Sequence, residues 1–325
     1  MRKIIVTGGC GYIGSHVARA FKQRGSHVTV IDQVYRQHTL KNLDGYMITD
    51  FASDEALSFI RMNEPNVIVH CAGTSLVGPS LQDPGEYYNN NIAKTIQLLN
   101  VVKDCPGKTA FMFSSSASVY GDTPLLPLTE ESQVGPISPY GNTKAMTETI
   151  LRDYWGAYAV PSMCFRYFNA AGAEPFNHDL GQEPNATHII ARALEARLNN
   201  TTFTMNGWDF DTNDGTAVRD YVHVWDIARA HVLGASWMLD DYPQMGAHVY
   251  NLSTGQGTSN LEIINYITAR YGALDVAKGA RRLGDPAKLY ADAGKAKSQL
   301  GWVPLFSDIE TIIDGAYKWY TRDGV

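Results

Sequence analysis

A chain of 325 residues with 44% apolar content can form one large or two modest domains around a substantial core. Its net charge of −6, with no run of Lys or Arg, argues against a nucleic-acid partner. No apolar run approaches the roughly 18 residues that cross a bilayer. The opening MRKIIVTGG is broken at Thr7-Gly8-Gly9, too soon for a signal peptide, so no membrane partner is expected. Cys10, Cys71, Cys105 and Cys164 include no CxxC pair, and the nine histidines no HExxH. Disulfides and a metal site therefore have no support, and a reducing cytoplasm is the expected location.

In chain order, KIIVT (3–7) reads as a buried strand, YIGSHVARAFKQRG (12–25) as a helix and HVTVI (27–31) as a second strand. NVIVHC (66–71) and TAFMFSS (109–115) are further strands, separated by one helix over about 86–105. Residues 139–156 read as a helix and 161–168 as a strand. A long Gly/Pro/Asn-rich loop after Asn169 leads to the helix IIARALEARL, and loops of that length are often functional. DYVHV and HVYNLS read as short strands, with helices near 225–239, 260–271 and 308–321. Buried strands alternating with helices predict an α/β fold, a doubly wound parallel sheet. The expected division is a nucleotide domain over 1–170, with a return segment near 219–251, and a smaller C-terminal α/β substrate region over 171–325.

TGGCGYIG follows the first strand and opens a helix, placing Gly8, Gly11 and Gly14 at three-residue intervals. Gly8 permits a tight turn, Gly11 lets a diphosphate approach the backbone, and Gly14 allows helix–strand packing; the helix start offers N–H groups to the anion. Asp32, 18 residues beyond Gly14, ends the second strand, where a carboxylate accepts from a ribose 2′-hydroxyl and repels a 2′-phosphate. This is a Rossmann fingerprint that favours NAD.

SPYGNTK (138–144) places Tyr140 and Lys144 one helical turn apart. The Lys144 charge, with that of oxidised nicotinamide, is expected to depress the phenol pKa from its ordinary ~10 and so make Tyr140 a base. Ser116, at the end of the strand in FSSSASVYG, can hold the reacting oxygen.

These motifs, with EYYNNN, RYFNAAGA, DGTAVRDYVHV, YNLSTG, LGW and KWY in order, span nearly the whole chain. The chain resembles the extended short-chain dehydrogenase/reductase family, and within it the UDP-galactose (UDP-glucose) 4-epimerase branch. The resemblance implies that Tyr140 takes the proton of a sugar 4-hydroxyl while hydride passes from C4 to NAD and returns to the opposite face. It implies a UDP-hexose substrate and a homodimer. Asn169, Arg219 and Arg282 correspond to diphosphate contacts, Asp285 to the UDP-ribose ligand, and Tyr221, His188 and Ile189 to the nucleotide site. Tyr12, Ile13, Cys71, Ala72, Gly73 and Asn90 fall on the cofactor side, Asp50 and Phe51 at the adenine, and Tyr167 beside the carboxamide.

Some positions depart from the family pattern. Ser75 stands where a lysine usually meets the NAD diphosphate, which implies a looser grip. Asn206 replaces an aromatic residue at the uracil, and Leu289 occupies the position that gates the sugar C2 substituent. Taken alone, Arg219 beside Asp220 reads as a surface ion pair, Cys71 as a small buried side chain, and Trp302 as core. A 4,6-dehydratase would need a carboxylate just after Ser116, where Ala117-Ser118 stand; a non-catalytic NAD-binding protein would not need Tyr140, Lys144 and Ser116 together. Epimerisation of a UDP-pentose, uronate or N-acetylhexosamine stays open.

Overall fold

The computed structural model describes residues 1–105, 109–123, 125–183, 186–241, 246–281 and 285–322. Six strands lead the fold: β1 (Lys3–Thr7), β2 (His27–Asp32), β3 (Gly45–Ile48), β4 (Val67–His70), β5 (Ala110–Ser116) and β6 (Ser162–Tyr167). A seventh, Ala247–Leu252, returns to pair with β6. The sheet runs seventh strand, β6, β5, β4, β1, β2, β3, and every neighbouring pair is parallel. The order reverses between β1 and β4, which opens a crevice at the carboxyl ends of the strands.

Two apolar layers hold the sheet, because alternate side chains of a strand face opposite ways. Ile4 and Val6 of β1 join Val17 and Phe21 of helix α1 (Tyr12–Gln23) and Ile227 of the helix Val224–Ser236. Ile5 faces the other way, with Ile60, Leu98 and Leu151 from helices on the opposite side. Trp302 is fully buried in the first layer, as its core reading requires. A third cluster, with Ile190, Leu194, Ile263 and Ile312, lies among the C-terminal helices.

The strands expected from sequence stand within a residue or two of their predicted bounds, but several elements escaped it, among them the short strands Val218–Arg219 and Lys288–Leu289. β3 and the helix Asp54–Asn63 lie between Asp32 and Asn66, where the sequence pattern assigns nothing. β3 is an edge strand of four residues that leaves Tyr46 and Ile48 exposed, so its apolar signal is weak. The single helix expected over 86–105 is instead Pro84–Tyr88 and Lys94–Val102, joined by a π-turn at Asn89–Ala93. Asn91 explains the break. Its side chain is buried and bonds both the N–H (2.8 Å) and the carbonyl (2.9 Å) of Thr74, and donates to Thr143 Oγ1 at 3.1 Å. Such π-turns frequently mark functional sites. Among the described residues no helix is long and apolar enough to cross a membrane.

Candidate active site

The SPYG stretch begins the helix Pro139–Tyr158 for local reasons. Ser138 is its N-cap, its Oγ accepting from the Gly141 N–H at 3.1 Å, and Pro139 occupies the first helical position. A Cβ on Gly141 would stand 2.6 Å from the Ser118 carbonyl, so this glycine lets the helix start press against the turn after β5. One turn beyond Lys144, Glu148 accepts from Ser115 Oγ (2.5 Å) and from Arg166 Nε (3.0 Å) and Nη2 (2.7 Å). All are buried, and this fork ties the helix to β5 and β6. Tyr140 and Ser116 are thereby brought to one wall of the same cavity, where the Ser116 hydroxyl favours the ionised phenol.

Lys144 Nζ donates to the Ser114 carbonyl at 2.8 Å and lies 4.7 Å from the centre of the Phe113 ring and 5.6 Å from that of Tyr140. Burial pulls its pKa down to about 8, against the opposing pull of Cys71, Cys164 and Glu148. The expected depression of the Tyr140 phenol is absent from the protein alone. Burial pushes it above its ordinary value; the Ser116 hydroxyl partly offsets this, and Tyr87 adds to the rise. Helical spacing puts the ammonium on the correct face, but a dry environment disfavours the phenolate by more than the Ser116 hydroxyl recovers.

These groups stand on the floor of a cavity of about 1020 Å3 at the crevice of the sheet. Its walls include Gly8, Gly11, Tyr12, Ile13, Gly14, Asp32, Phe51, Cys71, Ala72, Gly73, Asn90 and Tyr167. The fit to a dinucleotide rests on the turn. Gly8 has φ +69°, and a Cβ there would lie 2.6 Å from the Ala72 nitrogen; a Cβ on Gly14 would overlap the Gly8 carbonyl. No side chain caps α1 at Gly11, which leaves its first N–H groups to an anion. Asp32 accepts one N–H per oxygen, from Cys10 and Val34 (both 2.9 Å), keeping lone pairs for a ribose.

Of the pair expected at the adenine, only Phe51 lines the cavity. The Asp50 carboxylate is engaged by Lys94 Nζ (2.5 Å), Gln33 Nε2 (2.8 Å) and the Ala52 N–H (2.9 Å). Cys71 is a half-buried packing residue beside Ser114 Oγ (3.1 Å), its thiol pushed by desolvation up to about 11. Asn90 donates to Thr74 Oγ1 at 3.1 Å. Tyr167 meets Ser114 Oγ (3.1 Å) and His231 Nε2 (2.8 Å).

A second cavity, of about 820 Å3, shares Ser75, Ser118, Asn169 and His188 with the first. Ile189, Arg219, Tyr221, Asp285 and Leu289 line it, so it gathers most of the expected substrate residues; Arg282 lies outside the described residues. The strand Val218–Arg219 pairs with Lys288–Leu289, setting Leu289 opposite Arg219. Arg219 is not a surface residue paired with Asp220: it is buried, its Nη2 meets Asp285, and Asp220 instead accepts from Thr254 and Gly255. His188 is exposed at the start of its helix, its Nδ1 at 2.8 Å from Gln182 Nε2. Sequence reasoning missed Asn91, Ser114, Tyr87 and His231, whose parts depend on long-range partners; the run of asparagines at 89–91 was the one local signal.

The model of the NAD-dependent epimerase/dehydratase family matches residues 4–252. The chain belongs to this family. A UDP-glucose 4-epimerase of Lactobacillus helveticus is 38% identical, over 98% of this chain and 97% of that protein. The structure of a UDP-glucose 4-epimerase from Brucella ovis in complex with NAD superposes with a TM-score of 0.91 at 37% identity, covering 98% of both chains. One from Bifidobacterium longum, in complex with NAD+ and UDP, gives 0.88 at 35% identity, covering 99% of this chain and 98% of that one. As a member of the family this protein uses NAD, and the glycine turn, the uncapped helix and Asp32 are its fitting cradle.

The Lys144 geometry sets a pH dependence. In cofactor-free protein the unfolded state holds this proton up to ~10.4, the folded state only to about 8. Stability from this group therefore rises with pH between those values. Lys144→Met is expected to raise the melting temperature of cofactor-free protein at pH 7, with the gain narrowing by pH 10. Differential scanning fluorimetry across that range checks this; an advantage independent of pH contradicts it.

Proposed function

We infer that the protein is a UDP-glucose 4-epimerase, inverting C4 of a UDP-hexose through a transient 4-keto sugar. The observation that carries this reading is the position of Ser116, Tyr140 and Lys144 on the floor of the dinucleotide cavity, beside its shared wall with the cavity of Arg219 and Asp285. NAD, when bound, supplies a positive charge and a reversible hydride acceptor at that floor. Tyr140 Oη takes the 4-hydroxyl proton in the first half of the cycle and returns it in the second, while Ser116 Oγ holds the reacting oxygen. Lys144 supplies a fixed cation beneath the phenol. Between the halves the sugar turns over while the nucleotide stays gripped.

The first region, 1–170, holds the cofactor in this reading: the N–H groups of Tyr12 and Ile13 on the diphosphate, Asp32 on the ribose, Phe51 at the adenine, and Asn90 and Tyr167 toward the nicotinamide. The second, 171–325, holds the substrate. Arg219 presents its fork to the diphosphate, with Asn169 and Arg282 beside it, Asp285 on the ribose, and Tyr221, His188 and Ile189 along the nucleotide. We place the protein in the cytoplasm, in keeping with its four free cysteines. We read it as a homodimer, in keeping with exposed Tyr88, Met146 and Tyr158 on neighbouring helices.

Tyr140→Phe is expected to lower kcat by on the order of 10²–10⁴-fold while the purified variant still carries NAD. Full activity in that variant would remove the phenol from the mechanism, and a 6-deoxy-4-keto product from the unmodified enzyme would make it a dehydratase. Leu289 is half-buried at the second cavity, so the plain hexose is the favoured substrate. Leu289→Ser is expected to raise the rate on UDP-N-acetylglucosamine relative to UDP-glucose. An unchanged ratio would place the gate elsewhere.

A further inference from the structure

A dinucleotide diphosphate carries two negative charges, and this cavity already presents the carboxylates of Asp32, Glu86 and Glu183. Three cations face it: Arg36, Lys94 and Lys144. Lys94 is held by Asp50 at 2.5 Å, and Lys144 is bonded to the Ser114 carbonyl at the far, nicotinamide end. Ser75, on the cavity wall, is neutral. Arg36 is the cation joined to the glycine turn. Its Nη1 donates at 2.9 Å to the carbonyl of Cys10, the residue before the uncapped start of α1 at Gly11. Its Nε stands 3.8 Å from Glu183, and its Nη2 has no hydrogen-bond partner among the described residues.

We propose that Arg36 is a ligand of the NAD diphosphate, supplying the charge that Ser75 does not. One arm fixes the guanidinium to the turn. Glu183, which also lies 3.1 Å from His38 Nε2, draws it across the cavity, and the free arm remains for a phosphate oxygen. Asp32 precedes it by four residues and keeps the ribose, so the acid and the base of this short segment act on different parts of one cofactor. The assignment rests on the NAD site described above and adds to it a residue outside the glycine turn.

The test is the affinity of cofactor-stripped protein for NAD, ADP-ribose and adenosine, measured by calorimetry, with the melting temperature of the stripped protein as control. Arg36→Gln is expected to weaken NAD and ADP-ribose by about 10- to 100-fold, and to leave adenosine binding and the melting temperature nearly unchanged. Adding Ser75→Lys to Arg36→Gln is expected to recover much of the loss, since it returns a cation to the same wall. Unchanged NAD affinity in Arg36→Gln, or equal losses for adenosine and ADP-ribose, would overturn the assignment while leaving the cofactor site intact. Failure of the unmodified protein to bind NAD or ADP-ribose would overturn both.

Discussion

A lysine ammonium buried against the Ser114 carbonyl is the constraint from which the rest of the site follows. Burial makes the charge costly, enough to pull the pKa of Lys144 down to about 8. It also removes the water that would otherwise screen its effect on Tyr140. The same dryness works against the phenolate, and in the protein alone it prevails. In the proposed mechanism the site becomes basic only when a second positive charge arrives. A cofactor that is cationic when oxidised would meet that need in one of its two states, so that proton removal and hydride acceptance would belong to the same state of the enzyme.

The sheet makes this coupling possible. Gly8, Asp32, Cys71, Ser116 and Tyr167 each stand at or just past the carboxyl end of a different parallel strand, on either side of the reversal in strand order. Parallel pairing brings residues more than a hundred positions apart to one rim. The helix Pro139–Tyr158 is then locked to that rim by the Glu148–Arg166 fork and by the close approach at Gly141. The second cavity comes from the C-terminal strands, where Leu289 and Arg219 are neighbours by register. In the proposed reading, chemistry sits on the sheet, and grip on the nucleotide sits on short strands and loops.

Much of this was legible in the sequence because it is local. The glycine turn, Asp32 at a strand end, the Ser-Pro helix start and the four-residue spacing of Tyr140 and Lys144 are all set by neighbours in the chain. What was not legible depends on distant partners or on burial. Asn91 looks like one asparagine among three until its clamp from Thr74 to Thr143 is seen. Asp50 looks available to a base until Lys94 closes on it. The sign of the Tyr140 shift could not be read from spacing, because spacing places charges but says nothing of the water around them. β3 was hidden for the ordinary reason that a short, half-exposed edge strand has little apolar pattern.

The central claim, that Tyr140 becomes acidic through the cofactor and not through the chain alone, is open to direct titration. Ultraviolet difference titration of phenolate, with Tyr140→Phe as the blank to remove the other tyrosines among the 18, isolates this one group. The account predicts a midpoint above the ordinary ~10 in NAD-free protein and one well below that with oxidised NAD bound. The same midpoint in both forms would contradict it.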